Sequence, residues 1–149
     1  MSPPGAASDM NDDPALAMCF KVRVDTRDLG VFMSCEGLGV EVVLEQREEG
    51  GNNSYVHQLP VRMKYTNIKL TRPINGHSSK VAEWFASMSG DLTYATAHVA
   101  AMTADGKVIA EWHLRNVIPV RWTGPSLNVE TVKAATESLE LAHHGFLGA

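Results

Sequence analysis

The chain has few cysteines and no long run of apolar residues, so it lacks the features of disulfide-rich domains and of membrane-spanning helices. It contains only two cysteines, Cys19 and Cys35, among 149 residues. Two thiols make no disulfide framework in a chain of this length, so we expect both to be reduced, partly buried, small hydrophobic side chains. No stretch approaches the roughly 20 apolar residues that a membrane helix needs, so we expect no membrane anchor.

An excess of basic charge is also missing. The net charge is −4 and the basic residues are scattered, which argues against a strongly basic nucleic-acid surface. The length predicts one domain that buries a hydrophobic core. We expect residues 1–16, rich in Pro, Gly and Asp, to form a flexible arm, and residues 17–149 to form the domain. The arm has no apolar run, so the sequence predicts no signal peptide and synthesis in the cytoplasm.

Motifs of catalysis and cofactor binding are missing from the sequence as well. Gly37–Val42 reads GLGVEV, a fragment of a dinucleotide fingerprint, but it lacks the third glycine and β-type alternation follows it. The sequence has no phosphate-binding loop, no His-Glu-x-x-His, no Cys-x-x-Cys and no Gly-x-Ser-x-Gly elbow. We therefore predict that the protein is not an enzyme and has no cofactor.

Six histidines are the remaining candidates for metal ligands. Four of them are isolated in the sequence, as structural or surface histidines usually are: His57, His77, His98 and His113. The other two, His143 and His144, are adjacent near the end of the chain. Neighbouring residues of a strand point to opposite faces, so this pair is poorly placed to chelate one ion. The sequence predicts no metal site.

What the sequence does contain is alternation of apolar and polar residues, which predicts a mainly β domain of about seven or eight strands. Asp28-Leu29-Gly30 is expected to form the turn between the first two strands, and a fourth strand is expected at about Met63 to Arg72. The expected strands before it span about residues 18–25, 31–35 and 40–45. Between the third and fourth strands, residues 46–58 (QREEGGNNSYVHQ) predict a long loop or an extended hairpin tip.

The second half of the sequence predicts one helix and three strands. Leu92–Thr103 and Lys107–Arg115 are expected to pair as a hairpin. Neither face of Leu92–Thr103 is charged, which is typical of a strand covered on both sides, and another subunit is a candidate for the second cover. Pro119 and Trp122–Asn128 interrupt the pattern. The last strand is expected at about Thr131–His143, with a bulge as one explanation of its irregular phase.

The predicted helix is amphipathic. Its apolar residues occur at i, i+3, i+4 and i+7, and they are Val81, Trp84, Phe85 and Met88. Ser79 is placed to cap its start and Gly90 to end it. We expect the apolar stripe to cover one opening of a sheet or barrel.

Several short segments occur in a characteristic order along the chain. They are SCEGL (34–38), EGGNN (49–53), LPVRMKYTNIKLTR (59–72), the helix with Trp84-Phe85, WTGPSLN (122–128) and LELAHHGF (139–146). Together they resemble the phage tail tube protein family, in particular the inner tube subunits of phage-tail-like contractile injection systems. The resemblance covers about Met18 to Phe146. One departure is Val61, since the family usually has glycine after this Leu-Pro.

The resemblance implies a small β-barrel or sandwich with a flanking helix, which assembles into hexameric rings. The rings are expected to stack into a hollow tube inside a contractile sheath. The implied partners are further copies of the chain, the sheath protein, baseplate and spike proteins, and protein cargo in the lumen. The implied location is a phage-tail-like particle, assembled in the cytoplasm and then released or active at a membrane.

Two groups of residues are candidate assembly sites under this resemblance. The polar loop is expected to reach an adjacent ring, although a solvated tip is the alternative; its residues are Glu48, Glu49, Gly50, Gly51, Asn52 and Asn53. His143, His144 and Phe146 are expected at or near an assembly surface at the end of the last strand. The alternative functions are a tube-initiating baseplate subunit of the same machine and a stand-alone ligand- or metal-binding β-barrel.

Overall fold

The computed structural model describes residues 18–47, 57–124 and 135–147. The expected N-terminal arm, residues 1–16, and the loop Glu48–Asn53 lie outside them. The described residues form nine β-strands and one α-helix, which confirms a mainly β domain with one helix. In chain order the elements are β1 Cys19–Val24, β2 Arg27–Phe32, β3 Ser34–Glu36, β4 Val40–Arg47, β5 His57–Tyr65, β6 Ile68–Pro73, α1 Ser78–Ser87, β7 Ala95–Met102, β8 Val108–Thr123 and β9 Thr136–Ala142.

Seven of the strands form one antiparallel sheet in the order β2-β1-β7-β8-β9-β6-β3. The sheet curls until its two ends approach each other, and the backbone N–H of Met33, after β2, donates to the carbonyl of Thr71 in β6 at 2.9 Å. Among the described strands the ladder stays open, because β2 and β3 end the series. The described residues thus form a strongly curled sheet without full barrel closure.

Alternating residues of the strands build the hydrophobic core on one face of this sheet. Val22 and Val24 of β1, Val99 of β7 and Leu139 and Leu141 of β9 are all at most 1% exposed. Their period of two is the period at which strand residues return to the same face, as the sequence pattern predicts. Both cysteines are free and partly buried, as expected.

Helix α1 covers part of this core. Val81 and Trp84 are its buried residues, Met88 follows at the buried C-cap, and Phe85 packs at the edge of the core. Truncating a buried tryptophan to alanine typically costs about 3–5 kcal/mol, so Trp84 is a major contributor to stability. The predicted apolar stripe is confirmed. Among the described residues, no helix has the length and hydrophobicity needed to span a membrane.

The expected helix caps are wrong. His77 is the N-cap and makes no side-chain capping bond, Ser79 lies inside the first turn, and the C-cap is Met88 instead of Gly90. A polar turn before the helix sets its start. There the N–H of His77 donates to Oδ1 of Asn75 at 2.8 Å, and the N–H of Asn75 donates to Oγ of Ser78 at 3.1 Å. The helix therefore begins two residues earlier than a Ser79 cap requires.

The first turn is also not where the sequence placed it. The chain reverses at Asp25-Thr26, where Asp25 has φ of 52° and its carboxylate accepts from the N–H of Thr96 at 2.9 Å. Asp28-Leu29-Gly30 lies within β2. Gly30 has a positive φ of 86°, and the β1–β2 register shifts between Val22 and Arg23. These turn-forming residues therefore lie at an irregular position of the β1–β2 ladder and do not reverse the chain.

Two further strand boundaries differ from expectation. The strand expected from Met63 to Arg72 is divided, because β5 ends at Tyr65 and β6 begins at Ile68. Pro119 does not end a strand, since β8 continues through it to Thr123 with a register shift between Pro119 and Arg121. A proline lacks the N–H of a regular ladder, and an irregular position accommodates it. In the described part of the last predicted strand, Thr136–Ala142, the residues pair in regular succession, and the irregular register lies in β8. Residues 131–134 of that predicted strand lie outside the described residues.

Candidate assembly surfaces

The β4–β5 hairpin is separate from the seven-stranded sheet. The two strands pair only with each other, from Val40 opposite Tyr65 to Arg47 opposite His57, with a register shift between Val43 and Leu44. Among the described strands, neither has a second hydrogen-bonded neighbour. Two unpaired edges of this length are templates for pairing with another chain.

The hairpin also exposes many large hydrophobic side chains. Six of them are between 40% and 56% exposed: Val40, Val42, Leu44, Leu59, Val61 and Met63. Val42 and Met63 are directly opposite each other, so their side chains share a face. An isolated two-stranded hairpin is marginally stable in water, and contiguous exposed apolar surface marks an interaction site. This hairpin is therefore the strongest candidate for an assembly surface among the described residues.

The base of the hairpin is attached to the C-terminal segment by aromatic contacts. The ring of Tyr65 lies 5.4 Å from that of His143 and 5.9 Å from that of Phe146, the latter in an edge-on arrangement at 74°. Gly145 has φ of 124°, and a Cβ there would lie 3.0 Å from the Tyr65 ring. Glycine thus permits both the backbone conformation and the close approach of Tyr65.

The adjacent histidines have different environments. His143 is 5% exposed, and its Nδ1 accepts from the N–H of Gly145 at 3.1 Å. Burial lowers the pKa of His143, because a charged ring is poorly solvated there. His144 is exposed, within 3.3 Å of the Asn116 amide nitrogen, and its ring lies 5.2 Å from that of Tyr94. The two rings therefore make different contacts, and an assembly role for either remains a prediction.

The segment after β9 also closes onto β8. The N–H of Arg115 donates to the carbonyl of Gly145 at 2.9 Å, and the N–H of Leu147 donates to the carbonyl of His113 at 2.7 Å. An open depression of about 410 Å³ lies between the hairpin base and this segment. It is lined by Arg62, Met63, Lys64, Tyr65, His143 and His144. The C-terminal candidate residues and the hairpin thus share one continuous surface.

Two of the histidines that are isolated in the sequence meet in the structure. His98 of β7 is directly opposite His113 of β8, and their rings stack with centroids 4.5 Å apart. These two histidines are isolated only along the sequence, because strand pairing brings together positions that are far apart in the chain. Glu111 lies beside them, with its Oε2 3.7 Å from Nε2 of His98.

Sequence reasoning missed a buried ion pair at the side of the core. Arg72 and Glu137 are 1% and 2% exposed, and Nε of Arg72 lies 2.6 Å from Oε1 of Glu137. The guanidinium also donates to the carbonyl of Leu29 and lies 4.1 Å above the centre of the Phe32 ring. The two-residue alternation of β9 could have revealed this pair, because Glu137 lies on the same face of the strand as the buried Leu139 and Leu141. The pair ties β6 and β9 to β2.

Comparisons with known proteins agree with this architecture. The chain matches the family of the T4-like virus tail tube protein gp19 over residues 16–147. A chain of the sheath-tube complex of an extracellular contractile injection system, PVC, in its extended state superimposes with a TM-score of 0.79 at 19% identity, covering 95% of this chain and 96% of that one. A comparison with curated proteins finds no significant match.

Two further structures share the fold. A chain of the baseplate of the anti-feeding prophage superimposes with a TM-score of 0.71 at 18% identity, covering 98% of this chain and 95% of that one. Hcp1 from Flavobacterium johnsoniae gives 0.52 at 15% identity, covering 88% and 96%. The family match spans almost all of the described domain, from before β1 to the segment after β9. The chain belongs to the T4-like virus tail tube protein gp19 family.

Proposed function

We propose that the protein is the structural inner tube subunit of a contractile injection system or phage-like tail. Six copies close into a ring, and rings stack into a hollow tube inside a contractile sheath. Contraction of the sheath propels the tube through a target envelope. The observation that carries this proposal is the β4–β5 hairpin, which leaves two strand edges and six large hydrophobic side chains exposed.

The hairpin supports assembly for a physical reason. Its edges offer unpaired N–H and C=O groups, and its apolar side chains lose their contact with water only when another chain covers them. An interface between different surfaces of identical copies closes into a ring or continues as a filament, and a tube uses both kinds. Stable obligate interfaces usually bury about 2,000 Å² or more.

The proposed partners are the sheath protein, baseplate and spike proteins, and further copies of the chain. The fold shared with chains of a sheath-tube complex and of a baseplate supports the sheath protein, the baseplate proteins and self-association as partners. Spike proteins are proposed on the family resemblance alone. Protein cargo in the lumen is proposed on the family resemblance alone. The role is structural and involves no catalysis, in keeping with the tail tube family.

Substitution in the hairpin tests the proposal. Met63→Lys places a charge among exposed apolar side chains and should abolish rings and tubes, as seen by electron microscopy with the sheath and baseplate proteins present. Glu41→Gln is the matched control, since it changes the net charge by the same amount on the other face of the hairpin. Circular dichroism should show that both variants keep the fold. A wild-type chain that stays monomeric under these conditions would refute the proposal.

Shortening the loop Glu48–Asn53 tests the expected contact between rings. We propose that this loop reaches the adjacent ring, so its shortening should leave single rings and remove stacked tubes in electron micrographs. For the C-terminal group, His144→Ala should weaken tube formation without unfolding the subunit, because His144 is exposed. Stacked tubes from the loop variant would contradict the loop assignment.

A tube-initiating subunit at the baseplate is the alternative function, supported by the shared fold with a baseplate chain. The two functions differ in the number of copies in each particle: many rings for the main tube and one ring for an initiator. Quantitative mass spectrometry of purified particles against the sheath protein separates them.

A further inference from the structure

Three side chains that can bind metal ions meet on the surface of β7 and β8. His98 lies on β7, and Glu111 and His113 lie on β8. One ligand atom from each of the three lies within 4.8 Å of the other two. The strand register explains the meeting, because His98 is directly opposite His113 and Glu111 is two residues before His113 on the same face.

The ligand atoms are close to the spacing that a zinc ion requires. Two ligands of a tetrahedral zinc, each about 2.0–2.1 Å from the ion, lie roughly 3.4 Å apart. Nε2 of His98 is 3.7 Å from Oε2 of Glu111, which is within a few tenths of an ångström of that spacing. Glu111 and His113 are exposed, so rotation of their side chains can direct their ligand atoms at a shared ion.

The buried Nε2 nitrogen of His98 is a second observation that favours a bound cation at this cluster. Its Nε2 atom is buried and has no hydrogen-bond partner among the described residues. The distance of 3.7 Å to Glu111 exceeds the length of a hydrogen bond. A buried polar nitrogen without a partner is destabilising, and a coordinated cation would satisfy it.

We propose that His98, Glu111 and His113 bind a Zn²⁺ ion, with water in the fourth position. Two imidazoles and one carboxylate are a ligand set of known zinc sites, which leave one position open. The ion joins β7 to β8 within one subunit, and the proposal does not depend on the tube function. On β1, Arg23 is paired with His98 and Lys21 with Ala100, so two positive charges lie beside the site and reduce its affinity.

Titration calorimetry of the full chain with zinc chloride tests the site. We expect one ion per chain. His113→Ala should weaken binding by at least about tenfold, because even the loss of a residue that only supports a ligand costs 10–100-fold. Glu111→Gln should also weaken it, since it removes the carboxylate charge while keeping the size of the side chain. Arg23→Gln should tighten binding by removing a nearby positive charge.

His144→Ala is the control, because it removes an exposed histidine outside the cluster and should leave zinc affinity unchanged. Thermal unfolding in the presence of EDTA verifies that each variant folds. At a zinc concentration 100 times the dissociation constant, the wild-type Tm should rise by roughly 5–10 °C, and His113→Ala should lose this rise. The proposal is overturned if His113→Ala and Glu111→Gln bind zinc as tightly as the wild type, or if the wild type binds none.

Discussion

Replacing Glu137 with leucine should destabilise the subunit strongly, because it leaves the charge of Arg72 buried without its partner. In the native fold Arg72 is 1% exposed and bonds to Glu137 at 2.6 Å. Removing one member of a buried ion pair typically costs about 3–5 kcal/mol. At about 2–4 °C per kcal/mol for a chain of this size, Tm should fall by roughly 6–20 °C. A loss of this size is a large part of the roughly 5–15 kcal/mol that stabilises a typical domain.

The double variant Arg72→Met/Glu137→Leu separates the buried charge from a simple loss of packing. Replacing a buried pair with hydrophobic residues of similar volume is often close to neutral. Here the carbonyl of Leu29 also loses the donor that Arg72 supplies, which costs about 1–3 kcal/mol. We therefore expect the double variant to be less stable than the wild type but more stable than Glu137→Leu.

Urea unfolding followed by circular dichroism measures these differences. All variants are compared in a Met63→Lys background, because association of folded subunits would add to their apparent stability. A loss below about 1 kcal/mol for Glu137→Leu would contradict the argument from a buried charge. The argument would also be contradicted if the double variant lost as much stability as the single variants Glu137→Leu and Arg72→Met lose together, since independent sites are additive and coupled ones are not.

Two further predictions concern the junction between the sheet and the hairpin. Burial lowers the pKa of His143 in the folded state, so the unfolded chain binds more protons and the folding stability should fall as pH drops below about 6.5; His143→Gln should flatten this part of the pH profile measured by urea unfolding. Gly37→Ala should cost at least about 1–3 kcal/mol, because Gly37 has φ of 94° and an added Cβ would lie 2.1 Å from the carbonyl oxygen of Asn67. Gly39→Ala is the control, since nothing lies within 4 Å of its added Cβ, and equal losses for the two variants would contradict the steric argument.

The strands and the helix stripe could be predicted from the sequence because both depend on local periodicity. Alternation in Val22 and Val24 and in Leu139 and Leu141 identifies which residues share a face, and the structure buries them. Boundaries were less predictable, because a turn-forming sequence such as Asp28-Leu29-Gly30 is tolerated inside a strand when the register shifts. Likewise, Pro119 reads as an interruption until the irregular ladder around it is known.

The sequence by itself determined the β-rich fold, the buried face of the helix and, through the order of its segments, the tail tube family. Tertiary structure alone decided which strands are neighbours, because period two assigns a face to each residue but names no partner strand. It therefore joined Arg72 to Glu137 across 65 positions, brought His98 beside His113, and left the β4–β5 hairpin without a neighbour within the described subunit. These pairings decide whether a buried charge has a partner that offsets its desolvation cost, and whether a hydrophobic strand is covered or exposed to water.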